Sequence, residues 1–559
     1  MKLLHKAIVW SVLAFLFSAC NEDFLNEVPQ GVLSEVQLVN SVEGVEALVI
    51  AAYSVLNGQI DNTSQWYHAP ASNWVFGDVA SDDAYKGGGG VADGPNIHEI
   101  EVFLTASNNF STEQKWKALY EGIARCNAAM RAIQNFKGWD DAKKKLRLGE
   151  MRLLRGHYYF DLKKIYNLFP YVDETPRTSE DFKKISNREF SSEQLWQKIE
   201  EDFKYARDVL PDTQPQIGRV TKGAANAYLA KAYIFQKKWQ ETVDACNLVI
   251  SSPYGYTLLK NFNDVFLPQN DNSKEIVFNV QYSINDGAAN NGYNGSIGDR
   301  LINPGGPYFF IRGFLRPSQN MVNAYKTDSL GLPLLNTFNN VDLKNTDAID
   351  PRLDHTIGRP GIPYLDLPTV YEVSWARESN VYGSYSAKKR VVSTTSPLTL
   401  TVNPWTHAMN FAYIRFADVL LWKAEALVEL GKLEEARPIV NQIRRRARDG
   451  AYVQKIDRSG AAANYKMDEY KSLWTDQQLA RNAVRFERRL ELAHEGHRFF
   501  DLVRWGSAPA VINEYARVEK TKRTYLSAKQ FKADKHEYYP IPQSQIDLTG
   551  GLLKQNIGY

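Results

Sequence analysis

Two stretches of the sequence align with one another, Ala232-Tyr-Ile-Phe-Gln-Lys-Lys-Trp-Gln-Glu241 and Ala426-Leu-Val-Glu-Leu-Gly-Lys-Leu-Glu-Glu435. Each contains a turn with small residues before it, which let two helices approach closely; these are Ala230, Ala232, Ala424 and Ala426. Acidic residues follow each turn, where a helix start favours negative charge. Each stretch is therefore predicted to join the two helices of a hairpin.

Apolar residues at helical spacing extend this pattern on both sides. Residues 116–132 and 143–165 are predicted to form an antiparallel pair, and an earlier helix is expected to begin after an N-cap at Ser41. Between the helical blocks, residues 275–282 alternate as a strand, and an irregular region with β-prone runs at 391–392 and 398–400 follows to about Pro404. The predicted fold is mainly α, with tetratricopeptide-like helical hairpins as scaffold, a long loop-rich region and short β-strands.

The first 20 residues have the pattern of a lipoprotein signal peptide. Lys2 and Lys6 precede an apolar run over 7–17, and the small residues Ser18 and Ala19 lead to Cys20. The run is shorter than the roughly 20 residues that span a bilayer, which disfavours a transmembrane anchor; an ordinary secretory signal is the other alternative. We expect cleavage before Cys20 and attachment of lipid to its sulfur, which would anchor the protein to a membrane.

Composition excludes several classes of function. The 559 residues include 67 Lys and Arg against 64 Asp and Glu, so nothing in the net charge attracts nucleic acid. After Cys20 only Cys126 and Cys246 remain, both in helical patterns, and we interpret them as core thiols rather than a disulfide framework. The 12 Trp, 30 Tyr and 26 Phe supply many rings for the core or for stacking on a ligand.

Five motifs are spread over nearly the whole chain. They are Cys20-Asn-Glu-Asp-Phe-Leu25, Arg152-Leu-Leu-Arg-Gly-His-Tyr-Tyr-Phe-Asp-Leu162, Ile414-Arg-Phe-Ala-Asp-Val-Leu-Leu-Trp-Lys-Ala-Glu425, Arg485-Phe-Glu-Arg-Arg-Leu-Glu-Leu-Ala-His-Glu-Gly-His-Arg-Phe-Phe-Asp-Leu502 and Tyr539-Pro-Ile-Pro-Gln543. Through these motifs the chain resembles the SusD/RagB family of outer-membrane nutrient-binding lipoproteins. The acids Glu22 and Asp23 of the first motif resemble the family's signal for transport to the cell surface.

The resemblance implies a division of the chain and a partner. The expected parts are the signal peptide 1–19, a lipidated tether 20–36, an N-terminal helical half 37–270 and a C-terminal half 271–559 with ligand loops over 284–410. Members of the family sit on a SusC-type TonB-dependent outer-membrane transporter and capture oligosaccharides or, in some members, peptides. The resemblance thus implies a lipid-anchored, surface-exposed protein of the outer membrane that is not an enzyme and holds no cofactor.

Recognition of sugar needs flat apolar rings beside planar polar groups. Three loop clusters have this mixture. The first comprises 65–67, 73–74 and 81–85; the second comprises 290–294, 308–310 and Arg312; and the third comprises Tyr371, 375–377, Tyr382 and Trp405. From them we choose as candidate ligand contacts those that lie beside polar or glycine-rich sequence: Trp66, Trp74, Asp82, Asp83, Tyr85, Tyr293, Trp375 and Arg377. Arg377 offers a fork of hydrogen-bond donors to hydroxyls or to an acidic sugar.

Motifs for catalysis or metal binding are weak. His494 and His497 are three residues apart, whereas a zinc-protease helix needs four, and we interpret Glu491, Glu495, Arg498 and Asp501 instead as a buried charge and capping network. The sequence has no Gly-x-Ser-x-Gly elbow and no catalytic cysteine context. A carboxylate pair such as Asp82 and Asp83 leaves a glycosidase as the least favoured alternative.

The leading hypothesis is a non-catalytic glycan-binding lipoprotein that delivers oligosaccharides to the transporter. The first alternative is an oligopeptide receptor of the same transporter type, and the second is an adaptor in which the helical hairpins hold only a protein partner. No catalytic residue and no metal ligand is predicted.

Overall fold

The computed structural model describes residues 39–559, apart from 61–65, 252, 285, 287–292, 310–311, 394 and 402. The side chains of Trp66, Asn403 and Pro404 are also not described. The predicted signal peptide, Cys20 and the tether lie outside the described residues. The lipid anchor therefore stays a prediction. The division into halves at residues 270 and 271 also stays a prediction.

Helices form most of the described regular structure. They are α1 Val42–Ser54, α2 Pro95–Glu101, α3 Phe110–Asn135, α4 Asp141–Tyr166, α5 Ser179–Phe182, α6 Ser192–Val209, α7 Lys222–Phe235, α8 Trp239–Ile250, α9 Gln319–Ala324, α10 Arg352–Thr356, α11 Ser379–Tyr382, α12 Phe416–Glu429, α13 Leu433–Asp449, α14 Gln477–Glu491, α15 Arg498–Arg504, α16 Ala508–Glu519 and α17 Gln543–Leu548. Short 3-10 helices occur in the loops, including Trp66–His68 and Ile297–Ile302.

The strands are short and pair in twos, all antiparallel. They are β1 Ala84–Gly87, β2 Ile276–Val280, β3 Phe314–Pro317, β4 Ile357–Gly358, β5 Ser386–Ala387, β6 Thr399–Leu400, β7 Asn403–His407 and β8 Phe411–Arg415. The pairs are β1 with β3, β2 with β8, β4 with β5 and β6 with β7. The mainly α fold with short strands is thus confirmed.

The longer helices pack in sequence as one array. α1 and α4 both lie on α3, α6 packs on α4, α7 on α6, and α8 on α7. The array then passes from α8 to α12, which packs on α13 and α14. The helix predicted after Ser41 is confirmed, because the Ser41 hydroxyl accepts a hydrogen bond from the Gly44 amide and caps α1. Among the described residues, no helix is both long and apolar enough to cross a membrane.

The two aligned stretches form the same turn. α7 and α8 are joined at 236–238, and α12 and α13 at 430–432. Lys237 and Gly431 occupy equivalent positions with φ of 60° and 77°, and the amides of Lys238 and Lys432 bond back to Tyr233 O and Leu427 O at 3.0 and 2.8 Å. This is the hydrogen bond that closes a helix end when one residue takes the left-handed conformation. The four alanines before the turns are buried, as close helix packing requires.

One β-prone run was predicted wrongly. Residues 391–392 form no strand, because Arg390 before them has a φ of 63° and turns its guanidinium into the interior, where it meets Asp299 at 3.0 Å. The interpretation of Cys126 and Cys246 is confirmed, since both are free and buried. Burial raises the pKa of both thiols.

A buried charge network lies where the C-terminal motifs meet. The Glu491 carboxylate receives Arg415 at 2.7 Å, Arg352 at 3.0 Å and Arg446. Burial alone would raise the pKa of Glu491, but these three guanidinium groups outweigh it and hold that pKa well below its usual range. The four residues belong to charge networks, as predicted, but their partners are other residues: Glu495 pairs with Lys389 and Arg415, Asp501 with Arg488 and Arg504, and Arg498 with Asp82.

Gly431→Ala is expected to lower the free energy of unfolding by about 1 kcal/mol, because an L side chain is strained at positive φ. No atom lies within 4 Å of the position that a Cβ would take, so crowding adds nothing. Lys237→Gly, at the equivalent turn, should not lower stability. Denaturant unfolding of the soluble form that starts after Cys20 measures both; an unchanged Gly431→Ala variant would contradict the account of the turn.

Glu491→Gln should destabilise the fold by about 3–5 kcal/mol, since it removes the one carboxylate that three buried guanidinium groups share. Because the folded pKa of Glu491 is depressed, its contribution is complete above the unfolded value of about 4.3 and is lost as pH falls below it. Unfolding midpoints between pH 3 and 7 test this, and the variant should show a weaker acid dependence. Glu514→Gln, in the exposed pair with Arg517 at 2.7 Å, is the matched control and should change little.

Candidate functional site

Three loop segments, around residues 300, 312 and 405, meet at the buried residue Asn303. Its amide nitrogen donates to Arg300 O at 3.0 Å and to Trp405 O at 3.2 Å. Its backbone oxygen accepts from the amides of Arg312 at 3.3 Å and Gly313 at 2.9 Å. Asn303 therefore fixes the backbones of the 300, 312 and 405 segments relative to one another.

Partly exposed aromatic and arginine side chains surround this junction. We call them the aromatic–arginine cluster; its members are Tyr67, Tyr293, Arg300, Arg312 and Trp405. The Arg312 guanidinium lies over the Trp405 ring, 5.0 Å from its centroid. Arg300 interacts electrostatically with Arg312, Tyr67 and Tyr293. The cluster thus combines rings and planar donors on one surface.

Both ends of the cluster are anchored to the helical array. Tyr67 belongs to the 3-10 helix Trp66–His68, and the His68 imidazole contacts the Ser111 hydroxyl of α3 at 2.6 Å. The backbone oxygen of Tyr293 accepts a hydrogen bond from the side-chain Nδ2 of Asn57, just beyond α1, at 2.9 Å. On the other side, Ser296 and His407 exchange hydrogen bonds at 2.9 and 3.0 Å and tie β7 to the Arg300 segment.

Two arginines belong to the cluster. Burial and then the positive charge of Arg312 lower the pKa of Arg300 to about 10. Within the described part of the chain, the Arg312 guanidinium lies over the Trp405 ring and forms no ion pair with a carboxylate.

The loop that carries Trp375 is hydrogen-bonded to the segment that follows Asn303. Trp375 is only 4% exposed and packs against Tyr364 and Tyr371, with Gly305 N donating to its backbone oxygen at 2.8 Å. Gly306, at φ of 98°, is required here, because a Cβ would lie 2.6 Å from the Trp375 ring. Trp375 is thus a core residue of the loops rather than a stacking face.

Arg377 has a positioning role in this arrangement. Its Nη1 donates to Asp93 at 2.9 Å and to Arg312 O at 3.3 Å. The hydrogen bonds expected from Arg377 to a ligand stay a prediction, since the contacts of its guanidinium with Asp93 and Arg312 O use only Nη1. Arg377 holds the backbone of Arg312.

Four other candidates lie in the interior, which removes them as ligand contacts. Trp74 is 0% exposed and its indole N–H donates to Gly298 O at 3.3 Å, while the buried Tyr85 hydroxyl donates to Glu519 at 2.6 Å. Asp82 receives Arg498 at 2.8 Å, and Asp83 receives Arg489 at 2.6 Å. Polar neighbours in the sequence had suggested exposure, but those polar groups are themselves paired in the interior.

Two other predicted ligand contacts remain, Tyr293 and Trp66. Tyr293 is half-buried and belongs to the cluster. Trp66 begins the 3-10 helix that carries Tyr67, and its side chain is not described. The structure brings one or more residues of all three predicted loop clusters together: Tyr67 from the first, Tyr293 and Arg312 from the second, and Trp405 from the third.

Sequence reasoning missed Arg300 and Asn303. Arg300 lies within the 3-10 helix Ile297–Ile302, and Asn303 follows that helix. No sequence motif marks either residue. Tyr67, Arg312 and Trp405 stood inside the predicted clusters but were not chosen. The available signal was the presence of arginine near rings in segments that also carry glycine and asparagine.

Recesses occur elsewhere in the described structure. One of about 640 Å³ lies along α3, where Trp116, Tyr120 and Leu548 give it a mainly apolar wall. In the described ranges, no group of three or more His, Cys, Asp or Glu side chains is arranged to hold a metal ion. We take the aromatic–arginine cluster as the candidate site because it combines partly exposed rings with planar hydrogen-bond donors.

Comparison with known proteins places the chain in a family. The SusD family model matches residues 274–559, which are 286 of the 559 residues, and a second model described as "Starch-binding associating with outer membrane" matches residues 23–234. The SusD-like protein P25 of Formosa agariphila is 25% identical over 100% of this chain and 99% of its own. A SusD-like protein of Bacteroides ovatus is 25% identical over half of each chain.

Solved structures share the fold. A laminarin-binding SusD-like protein is 24% identical with a TM-score of 0.67, and surface glycan-binding protein A of Bacteroides fluxus is 21% identical with a TM-score of 0.68. Each comparison covers 93% of this chain and 100% of the other. Because the family model covers more than half of the chain, the protein belongs to the SusD family of outer-membrane-associated proteins.

Proposed function

We propose that the protein is a non-catalytic, lipid-anchored glycan-binding protein of the cell surface that captures oligosaccharides and delivers them to a SusC-type TonB-dependent transporter. The observation that carries the glycan-binding part is the convergence of Tyr67, Tyr293 and Trp405 with two arginines on one partly exposed surface. Sugar rings present C–H groups to aromatic faces and hydroxyls to planar donors, and the cluster offers both.

The relatives support the same ligand class. Both structural neighbours described above are named for glycan binding, one of them for laminarin. The cluster is also pre-ordered, because Asn303 and Arg377 fix the backbone beneath its side chains before any ligand arrives. Such ordering reduces the entropy lost when a flexible oligosaccharide binds.

The anchor and the partner rest on the sequence. The signal pattern that ends at Cys20 and the description of the family as outer-membrane-associated support attachment by lipid. The resemblance to the SusD/RagB family supports a SusC-type transporter as the partner, which would take up the ligand that the anchored protein captures. An oligopeptide receptor on the same scaffold is the alternative that a ligand screen distinguishes.

Trp405→Ala is expected to weaken glycan binding at least tenfold, about 1.4 kcal/mol, because it removes both a stacking ring and the surface under Arg312. The soluble form is screened against plant, host and microbial glycans, and the affinity for the best ligand is measured by calorimetry. Trp139→Ala is the matched control, since Trp139 is also half-buried but packs on Phe136 away from the cluster. Equal affinity in the Trp405 variant would remove the cluster from the site, and binding of peptides alone would favour the alternative.

Cys20→Ser should release the protein from the membrane, since it removes the sulfur that accepts lipid. Cell fractionation of the full chain measures the distribution, with the unaltered protein as reference. The unaltered protein, extracted in mild detergent, is expected to co-purify with a TonB-dependent transporter. Retention of the Cys20 variant in the membrane would contradict the anchor, and purification without any transporter would contradict the partner.

A further inference from the structure

A cleft of about 750 Å³ is lined by residues of the loop 335–340 and of the helices α14, α15 and α16. Its volume falls within the range of about 300–1,000 Å³ that small-molecule sites have. Five of the residues that line it are asparagines, and we call it the asparagine cleft: Asn320, Asn336, Asn339, Asn340 and Asn482. None of its residues belongs to the aromatic–arginine cluster.

Every charged side chain that lines the asparagine cleft lies beside an opposite charge. The ion pairs are Arg489 with Asp82 and Asp83 at 3.1 and 2.6 Å, Arg498 with Asp82 at 2.8 Å, Arg517 with Glu514 at 2.7 Å and Arg485 with Glu429 at 3.7 Å. Positive and negative charges along this wall therefore balance. Since binding favours complementary charge, the balance suits an uncharged ligand better than an ion.

Three of the asparagines use their side-chain oxygens within the protein. Each oxygen accepts from another side chain: Asn320 from Arg489 at 2.5 Å, Asn339 from Asn323 at 2.8 Å and Asn482 from Gln478 at 2.9 Å. The donors are assigned by their own partners, because the oxygens of Asn323 and Gln478 accept from the Leu343 amide and from Arg481. In the described chain the Nδ2 groups of the three have no acceptor, so each offers two N–H donors to a ligand.

The loop that carries the other asparagines also carries an aromatic ring. Asn336 and Asn340 are exposed, and among the described residues their side chains form no hydrogen bond. A carboxamide holds a donor and an acceptor in one plane, which matches two neighbouring hydroxyl groups. Phe338 between them is half-buried, with Phe486 at 5.5 Å and the Arg489 guanidinium 5.3 Å from its centroid. The loop thus combines a ring with planar polar groups, as recognition of sugar needs.

The loop is held in position from both ends. The Phe338 amide donates to Leu334 O at 2.9 Å. Beyond the loop, the Asp342 carboxylate accepts from Asn323 at 3.1 Å and from the Lys522 ammonium, which follows α16, at 2.8 Å. The lining residues are therefore placed before a ligand arrives, which reduces the entropy lost on binding.

We propose that the asparagine cleft is a second carbohydrate site, which binds a neutral oligosaccharide through the carboxamides that line it and the ring of Phe338. The inference takes its ligand class from the proposed function and in that respect rests on it, but it concerns a different surface. One chain then holds two oligosaccharides, one at the aromatic–arginine cluster and one in the asparagine cleft.

The test counts the oligosaccharides that each chain binds. Neutral oligosaccharides prepared from laminarin and from starch, followed by the other neutral members of the glycan screen, are titrated by calorimetry into the soluble form that starts after Cys20. We expect two bound molecules per chain for at least one of them. Trp405→Ala, which weakens the cluster, should leave one, and a crystal structure of that variant with the oligosaccharide should show it in the asparagine cleft.

Two sets of substitutions act on the cleft alone. Ala510→Trp places a large side chain at an exposed lining position of α16 and should reduce the number bound to one. Asn336→Ala combined with Asn340→Ala removes two exposed carboxamides and should weaken the same binding event tenfold or more. Ala142→Trp is the matched control, since Ala142 is an exposed alanine in the first turn of α4 and does not line the cleft; it should still bind two. Unfolding midpoints of all variants should equal that of the unaltered protein.

The outcomes separate this inference from the proposed function. One molecule per chain, lost in Trp405→Ala, would overturn the second site and leave glycan binding at the cluster intact. Two molecules per chain in Ala510→Trp and in the double asparagine variant would overturn the assignment of the second to the cleft. One molecule that is lost in Ala510→Trp but not in Trp405→Ala would keep the cleft and remove the cluster. Binding of charged glycans or peptides only would overturn the cleft as a neutral carbohydrate site, as would binding of no glycan at all, which would also overturn the proposed function.

Discussion

The Glu491 carboxylate is the point on which the C-terminal half of the structure depends. Three guanidinium groups from three different elements converge on it: Arg352 at the start of α10, Arg415 at the end of β8 and Arg446 in α13. None of these charges can be buried alone without a large desolvation cost, so the elements that carry them must assemble together. The network therefore sets relative positions as well as contributing stability.

Further ion pairs connect this network to the aromatic–arginine cluster. Glu495 pairs with Lys389 at 2.7 Å, the neighbouring Arg390 pairs with Asp299 at 3.0 Å, and Asp299 immediately precedes Arg300. On the N-terminal side, Asp82 and Asp83 receive Arg498 and Arg489. The loops of the cluster are thus connected to the same interior network that holds the helices, which explains how such irregular segments keep a defined shape.

Local features of the fold could be predicted from the sequence, and non-local ones could not. The hairpin turns at 237 and 431, the cap at Ser41 and the buried thiols depend on neighbouring residues, which the sequence displays directly. Burial of Asp82 and Asp83 depends on arginines 416 and 406 residues away, and no spacing rule shows those partners. The same reason explains the site: the three loop clusters were recognisable, but which ring in each faces outward is decided only when the segments meet at Asn303.

The hydrogen bonds of Asn303 all go to backbone atoms: the oxygens of Arg300 and Trp405 and the amides of Arg312 and Gly313. The junction therefore does not depend on which side chains these positions carry. A different set of residues at 300, 312 and 405 would be displayed in the same relative geometry, because the frame beneath them is built from main chain. The surface side chains and the frame that presents them are in this sense separable, so those three positions can be randomised without rebuilding the rest of the protein.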